Sequence, residues 1–227
     1  MKNALIIGNT DGIGLSLTKE LLNREWYVTG ISRRNSHLES SLYQHRIADV
    51  SKEIFFEELK TAAQNKPFDL CIYCAGIGEL LNVDGLEHDI SVFQVNLMGM
   101  VKTVSAVVPG MVKRGKGHFI GLSSVADEML SAEAPSYHAS KAGFSNYLEG
   151  LGLALKPKGV DVTNIRFGFV DTKMAKGDIK PFMMSVDKAT EYILSCMEKK
   201  PIRFTAPKII VPLVKLRRFM MSWKVSF

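Results

Sequence analysis

Tyr137 and Lys141 stand four residues apart in the stretch SYHASK. On a helix both side chains lie on one face, where an ammonium beside a phenol favours the phenolate and lowers the phenol pKa. The pair alone is a weak signal, because any long helix can carry Tyr and Lys at this spacing on its surface. Ser124 lies thirteen residues before Tyr137, in GLSSVADEMLSAEAPSY, where an apolar run ends. Ser123 is the competing hydroxyl, and its plain role would be to line the strand end. A second stretch with chemical potential opens the chain. IIGNTDGIG, residues 6–14, supplies Gly8, Asn9, Thr10, Asp11, Gly12, Ile13 and Gly14. Glycines between a strand and a helix let backbone amides approach a pyrophosphate at the helix N-terminus.

These residues need elements to position them. NALIIG is a short apolar run that reads as a strand, and in GIGLSLTKELLNRE the residues Ile13, Leu17, Leu21 and Leu22 recur at helical spacing. WYVTGIS then reads as a strand, SKEIFFEELKTAAQ as an amphipathic helix opened by Ser51, and FDLCIYCAG as a buried strand. A long helical region follows around residues 90–113. After it come the strand GHFIGLSS, the helix SYHASKAGFSNYLEGLGLAL and the strand VDVTNIRF. A further helix starts after Ser185, with Asp187 in its first turn, and a last strand lies near IRFTA. Alternating strands and helices with continuously apolar strands imply a parallel sheet covered on both faces. The expectation is one doubly wound α/β domain, Rossmann-like, with about seven strands and its ligand beyond their carboxyl ends.

Composition narrows the class. The chain has 227 residues, 46% hydrophobic and 23% charged, enough for one large core and typical of a globular protein. No run of about eighteen uncharged apolar residues is present, and Asp11 and glycines interrupt the N-terminal apolar stretch before any cleavage pattern, so an intracellular, cytoplasmic protein is expected. Three cysteines cannot all pair. Cys71 and Cys74 form a CxxC, but within a strand residues three apart face opposite sides and cannot share a ligand. The five histidines show no metal-ligand spacing, so no metal is expected. The net charge of +6 belongs to the tail: residues 198–227 hold eight Lys or Arg against one Glu, leaving the first 197 residues at −1, with 21 basic and 22 acidic. That distribution argues against nucleic acid as a partner.

Together the segments resemble the short-chain dehydrogenase/reductase family. G-x-x-x-G-x-G at residues 8–14 resembles the family's T-G-x-x-x-G-x-G loop, Tyr137 and Lys141 its Y-x-x-x-K pair, and Ser124 its catalytic serine at the same separation. Asn96 in VNLMG corresponds to the asparagine of N-x-x-G, and Cys74, Ala75 and Gly76 to the end of N-N-A-G. FGFVDT, with Gly168, Val170 and Thr172, resembles the P-G-x-V-x-T segment that contacts the nicotinamide, and Asp49-Val50 resembles the D-V pair near the adenine. The resemblance implies hydride transfer between a nicotinamide and a carbonyl or alcohol carbon. Tyr137 would be the general acid or base, and Ser124 would hydrogen-bond the reacting oxygen. Lys141 would hold the ribose hydroxyls and tune Tyr137, and Asn96 would anchor a water linking Lys141 to solvent. The resemblance also implies a homodimer or homotetramer through the helices around residues 100 and 145. The chain departs from the pattern at Ile7, at Tyr73-Cys74 and at Phe167, none of which transfers a proton or hydride. A non-catalytic NAD(P)-binding sensor or scaffold is the alternative, and the intact Ser124, Tyr137, Lys141 and Asn96 count against it.

At the end of the second strand, Ser32, Arg33 and Arg34 replace the acid that would accept from a ribose 2'-hydroxyl. A neutral hydroxyl followed by guanidinium forks suits a 2'-phosphate, so NADP(H) is expected over NAD. Asp11 inside the phosphate loop counts the other way and keeps NAD open. The segment KMAKGDIKPFMMS offers Met174, Phe182, Met183 and Met184 for an apolar wall, which points to an apolar carbonyl substrate. In the tail, Pro212 would open a helix with Leu213, Leu216, Met220 and Trp223 on one face and Lys215, Arg217 and Arg218 as charge. Such a helix suits peripheral contact with an anionic membrane, and packing on its own domain or on a partner subunit is the alternative.

Overall fold

The computed structural model describes residues 1–174 and 181–225, without the side chains of Asn65, Lys215, Arg217 and residues 221–225. Seven parallel strands form one sheet: β1 (Asn3–Ile7), β2 (Tyr27–Ser32), β3 (Tyr43–Ile47), β4 (Leu70–Tyr73), β5 (Gly117–Ser124), β6 (Val160–Phe167) and β7 (Arg203–Ala206). Their order is β3-β2-β1-β4-β5-β6-β7, so the chain reverses direction across the sheet between β1 and β4. β1 shows why both faces are covered. Leu5 and Ile7 join one core cluster while Ala4 and Ile6 join the other, all with no exposure.

One face carries α2 (Glu53–Asn65), α4 (Gly99–Arg114) and α5 (Pro135–Leu155), which bury Phe55, Leu59, Val104, Met111, Phe144 and Leu148. The other carries α1 (Gly12–Asn23) and α6 (Val186–Lys199), which bury Leu17, Leu21, Ala189 and Ile193. Ser185 caps α6 by accepting from the Lys188 N–H at 3.2 Å, as its position in the sequence suggests. Cys71 belongs to one face, and Cys74 packs against the other. Among the described residues no cluster could hold a metal ion.

Three features differ from expectation. β3 carries no apolar run: YQHRI is an edge strand paired on one side only, so it lacks the apolar signature of the inner strands. α2 begins after Lys52 rather than at Ser51, because the Ser51 N–H and hydroxyl both donate to Asp49 Oδ1, at 2.9 and 2.8 Å. The long helical region runs as α3 (Glu87–Phe93), a π turn over Gln94–Met98, and α4. Tyr73 explains the turn. Its buried hydroxyl donates to the Val95 carbonyl at 2.6 Å, taking that acceptor from the helix, and the Gly99 N–H reaches back to Gln94. A methyl group on Gly99 would overlap the Tyr73 hydroxyl. By length and composition the stretch Glu87–Arg114 could cross a membrane, yet its α4 half lines the core through Val104, Val107, Val108 and Met111.

His118, the second residue of β5, is 5% exposed, with Nε2 2.8 Å from Thr163 Oγ1 of β6. Burial pushes its pKa down to about 4, against an opposing pull from Asp161. The unfolded value is about 6.5, so the unfolded chain takes up the proton first and stability falls as pH drops from about 6.5 to about 4. The loss should be on the order of 3 kcal/mol. Denaturant titrations at about pH 7 and about pH 4.5 should show it, and His118→Asn should remove most of that slope.

Candidate active site

The parallel register brings the strand ends out on one side of the sheet. Ile7 sits opposite Ile31 and Tyr73, Tyr73 opposite Gly121, and Ser124 opposite Phe167. Gly8, Ser32, Cys74 and the FGFVDT segment follow directly. At the first of these ends, Gly8 takes φ +86° and lies so close to β4 that a Cβ would come within 2.9 Å of the Ala75 nitrogen. A methyl on Gly14 would overlap the Gly8 carbonyl oxygen, so α1 can enter this close to the loop only with glycine there. Gly12, at φ +48°, leaves 3.1 Å between a Cβ and Thr172 Cγ2. The glycine loop and the segment after β6 therefore face each other. Backbone that a Cβ would block on both sides fits the close approach of a pyrophosphate.

Asp11, the acid in this loop, caps α1 by accepting from the Gly12 N–H at 2.9 Å. Its carboxylate also meets Arg34 at 3.0 Å and Lys173 at 2.9 Å. Lys173 and Arg34 hold its pKa down at about 2, so it is ionised and doubly compensated near neutrality. A cleft of about 310 Å³ opens between Thr10, Asp11, Arg34, Asn35, His37 and Lys173. Arg33 is exposed beside it and acts electrostatically on Asp49, while Ser32 turns its hydroxyl to the Arg34 carbonyl at 2.9 Å. Asn9 is buried. Its amide donates to Tyr43 Oη and lies 3.3 Å from His45 Nδ1, in space that only Gly30 leaves open, so its backbone alone remains for a ligand. Val50 is buried under Gly99, and Asp49 holds the turn before α2.

Ser124 ends β5 and its Oγ accepts from the Ala126 N–H at 3.2 Å, capping a 3-10 turn over Val125–Glu128. From α5, Tyr137 reaches the Ser124 hydroxyl. Lys141, 4% exposed, donates to the Leu122 carbonyl at 3.0 Å, with Nζ 5.9 Å from the centre of the Tyr137 ring and 5.0 Å from that of Phe144. Burial pushes Lys141 down to about 8, while Asp127 and Cys74 oppose that fall. The expected lowering of Tyr137 does not hold. Burial raises the phenol above its ordinary value, the Ser124 hydroxyl opposes, and Asp127 adds to the rise. Desolvation outweighs an ammonium that is itself turned towards Leu122.

Ser123 is drawn into a different network, 2.8 Å from Ser145 Oγ, which leaves Ser124 as the hydroxyl beside Tyr137. Asn96 sits fully buried in the π turn. Its amide donates to the Ile77 carbonyl at 2.9 Å and to Ser140 Oγ at 3.0 Å, and its oxygen accepts from the Ile77 N–H at 2.8 Å. Gly76 lies between Asn96, Lys141 and Met174, the last at 3.3 Å from a Cβ built there. Gly168 donates to the Ala206 carbonyl at 3.0 Å, and Val170 is buried and pairs with Met184. Met174, Phe182 and Met183 are exposed near this edge, whereas Met184 packs into the core. Residues 175–180 of the expected wall lie outside the described residues.

The comparisons agree with this geometry. The family model for short chain dehydrogenase matches residues 2–181. The chain belongs to that family. Its members are oxidoreductases acting on CH–OH and C=O groups, and the seven-stranded Rossmann-like sheet is their fold. An uncharacterized oxidoreductase of Myxococcus xanthus is 31% identical over 205 residues, covering 84% of this chain and 81% of that one. A very-long-chain 3-oxoacyl-CoA reductase of Anas platyrhynchos is 28% identical over 190 residues, 76% of this chain but 61% of the duck protein. A short chain dehydrogenase of Burkholderia cenocepacia, solved in complex with NADP, superposes with a TM-score of 0.83 at 22% identity, over 95% and 93% of the two chains.

Several site residues were not legible beforehand. Lys173 is joined to Asp11 across 162 positions, which no local pattern reports. Ile77 and Ser140 matter only as partners of Asn96. Arg166, by contrast, left a trace: a lone arginine in an apolar strand calls for a buried acid. Asn96→Ala would strip both part-buried Ile77 backbone groups of their partner. Urea unfolding should show a loss of about 2–4 kcal/mol.

Proposed function

We propose that this oxidoreductase uses NADP(H) to reduce an apolar carbonyl compound to an alcohol. The observation that carries the reading is the meeting of Ser124, at the end of β5, with Tyr137 and Lys141 on one face of α5. When bound, the nicotinamide supplies the hydride. Tyr137, kept protonated by its raised pKa, gives its phenolic proton to the substrate oxygen as C=O becomes C–OH. Ser124 donates a hydrogen bond to the same oxygen and stabilises the charge developing on it. Lys141 holds the ribose hydroxyls and favours the phenolate that Tyr137 becomes. Asn96, with its side chain committed to Ile77 and Ser140, offers its backbone to the water that connects Lys141 with solvent.

Arg33 and Arg34 support a 2'-phosphate, and the cations on Asp11 remove the objection raised by an acid in this loop. Gly8–Gly14, Asp49–Val50, Cys74–Gly76, Gly168, Val170 and Thr172 are the other proposed cofactor contacts. The exposed Met174, Phe182 and Met183, and the name of the duck relative, favour an apolar chain on the substrate. Exposed Met98, just before α4, and Tyr147 and Leu153 on α5 support a homodimer or homotetramer through the helices around residues 100 and 145.

A membrane surface is a second partner, suggested by α7 (Ile210–Val225). This helix opens two residues before Pro212. Ile210 and Val214 pack on Val125 and Met129, which settles its first turn on its own domain. Leu213, Leu216 and Met220 remain exposed on it, with Lys208 and Arg218 nearby, a pattern suited to anionic lipid. The side chains of Lys215, Arg217 and Trp223 lie outside the described residues.

Two measurements follow. Tyr137→Phe should lower NADPH-dependent turnover of a carbonyl panel by at least about 100-fold while NADPH still binds, and NADPH should bind more tightly than NADH by about tenfold or more. Undiminished turnover would contradict the mechanism, and equal affinities the choice of cofactor. In sedimentation with phosphatidylserine-containing vesicles, the wild type should pellet and the combined Leu213→Ser, Leu216→Ser, Met220→Ser variant should stay in solution. Equal partition would remove the membrane reading.

A further inference from the structure

Arg166 and Asp127 form a bidentate ion pair with side chains 4% and 3% exposed, Nε to Oδ2 and Nη2 to Oδ1 both at 2.7 Å. Arg166 lies on β6, one residue before Phe167 and two before Gly168. Asp127 lies in the 3-10 turn that Ser124 caps. The same carboxylate accepts from the Ser145 hydroxyl on α5. Because the Ser145 proton goes to Asp127, Ser145 accepts from the Ser123 hydroxyl at 2.8 Å, and Ser123 Oγ lies 3.5 Å from the Lys141 carbonyl oxygen. One acid thus connects the end of β5, the catalytic face of α5 and the strand leading to the FGFVDT segment. A buried ion pair is expensive to desolvate and weak evidence for stability, so a role in geometry accounts for it better than one in strength.

We propose that Asp127 is a positioning residue of the reductase site, holding Ser124 in register with Tyr137 and Lys141 through Arg166 and Ser145. The proposal rests on the reductase reading given above. The other charges around the pair are Glu128 on the same turn, 2.7 Å from Arg166, Arg203 from β7, which binds Glu149 of α5, and Lys141, on which Asp127 acts through space. Glu128 therefore keeps Arg166 paired when Asp127 is neutralised, so Asp127→Asn should fold. Glu128 itself has no bond to Ser145, which makes it the control.

The test compares kcat for an apolar carbonyl substrate, and the NADPH Kd from fluorescence titration, in the wild type, Asp127→Asn and Glu128→Gln. Asp127→Asn should lose about 10- to 100-fold in kcat, the scale of a misplaced catalytic group, with NADPH Kd within about threefold of wild type. Glu128→Gln should stay within about threefold of wild type in both. If Asp127→Asn does not fold, Ser145→Ala, which keeps both ions, takes its place and is read the same way. The proposal is overturned by an unchanged kcat, by an equal loss in Glu128→Gln, or by a loss matched by weakened NADPH binding. Failure of the reductase reading looks different: the wild type itself then turns over no carbonyl.

Discussion

Parallel pairing is the constraint on which the rest of this molecule depends. Every strand runs the same way, so every strand end emerges on one side of the sheet, and residues far apart in the chain share one edge. Gly8, Ser32, Cys74, Ser124 and Gly168 reach that edge from five different strands. The reversal of strand order between β1 and β4 opens the crevice there, where ligands bind in sheets of this kind. Both faces must then be covered, and the helices that cover them bring in the remaining chemistry. α5 packs Phe144 and Leu148 into the core, and that packing fixes the turn of helix on which Tyr137 and Lys141 face Ser124.

Electrostatics divide the edge into two regions. Around the glycine loop charges are exposed and exchangeable: Asp11 is shared by Arg34 and Lys173, with Arg33 alongside, leaving a net positive rim suited to phosphate. Around Tyr137 charges are buried and fixed, and desolvation dominates. It raises the phenol and lowers the lysine, so their proton affinities move apart and the lysine gives up its proton first. Asp127 acts on both from behind, tied to Arg166 where water has little access.

The spacing of Ser124, Tyr137 and Lys141 was legible because it is local: four residues on one helix, and thirteen from strand end to helix. The apolar strands were legible because burial on both faces leaves no polar alternation. What escaped depended on distance or on the absence of that signal. β3 is an edge strand whose polar residues serve Asn9 and Arg34, so its sequence resembles a loop. The π turn was hidden because its cause, Tyr73, lies on another strand. The direction of the Tyr137 shift was missed because sequence shows the neighbouring lysine but not how far the surrounding chain desolvates the phenol.

Where the hydride goes decides the central claim. The wild-type protein would be incubated with NADPH deuterated at C4, in separate 4R and 4S samples, and an apolar carbonyl panel, with the alcohol analysed by mass spectrometry. One of the two cofactors should place a single deuterium on the carbinol carbon. Alcohol carrying deuterium from neither cofactor, or no alcohol at all, would contradict hydride transfer at this edge of the sheet.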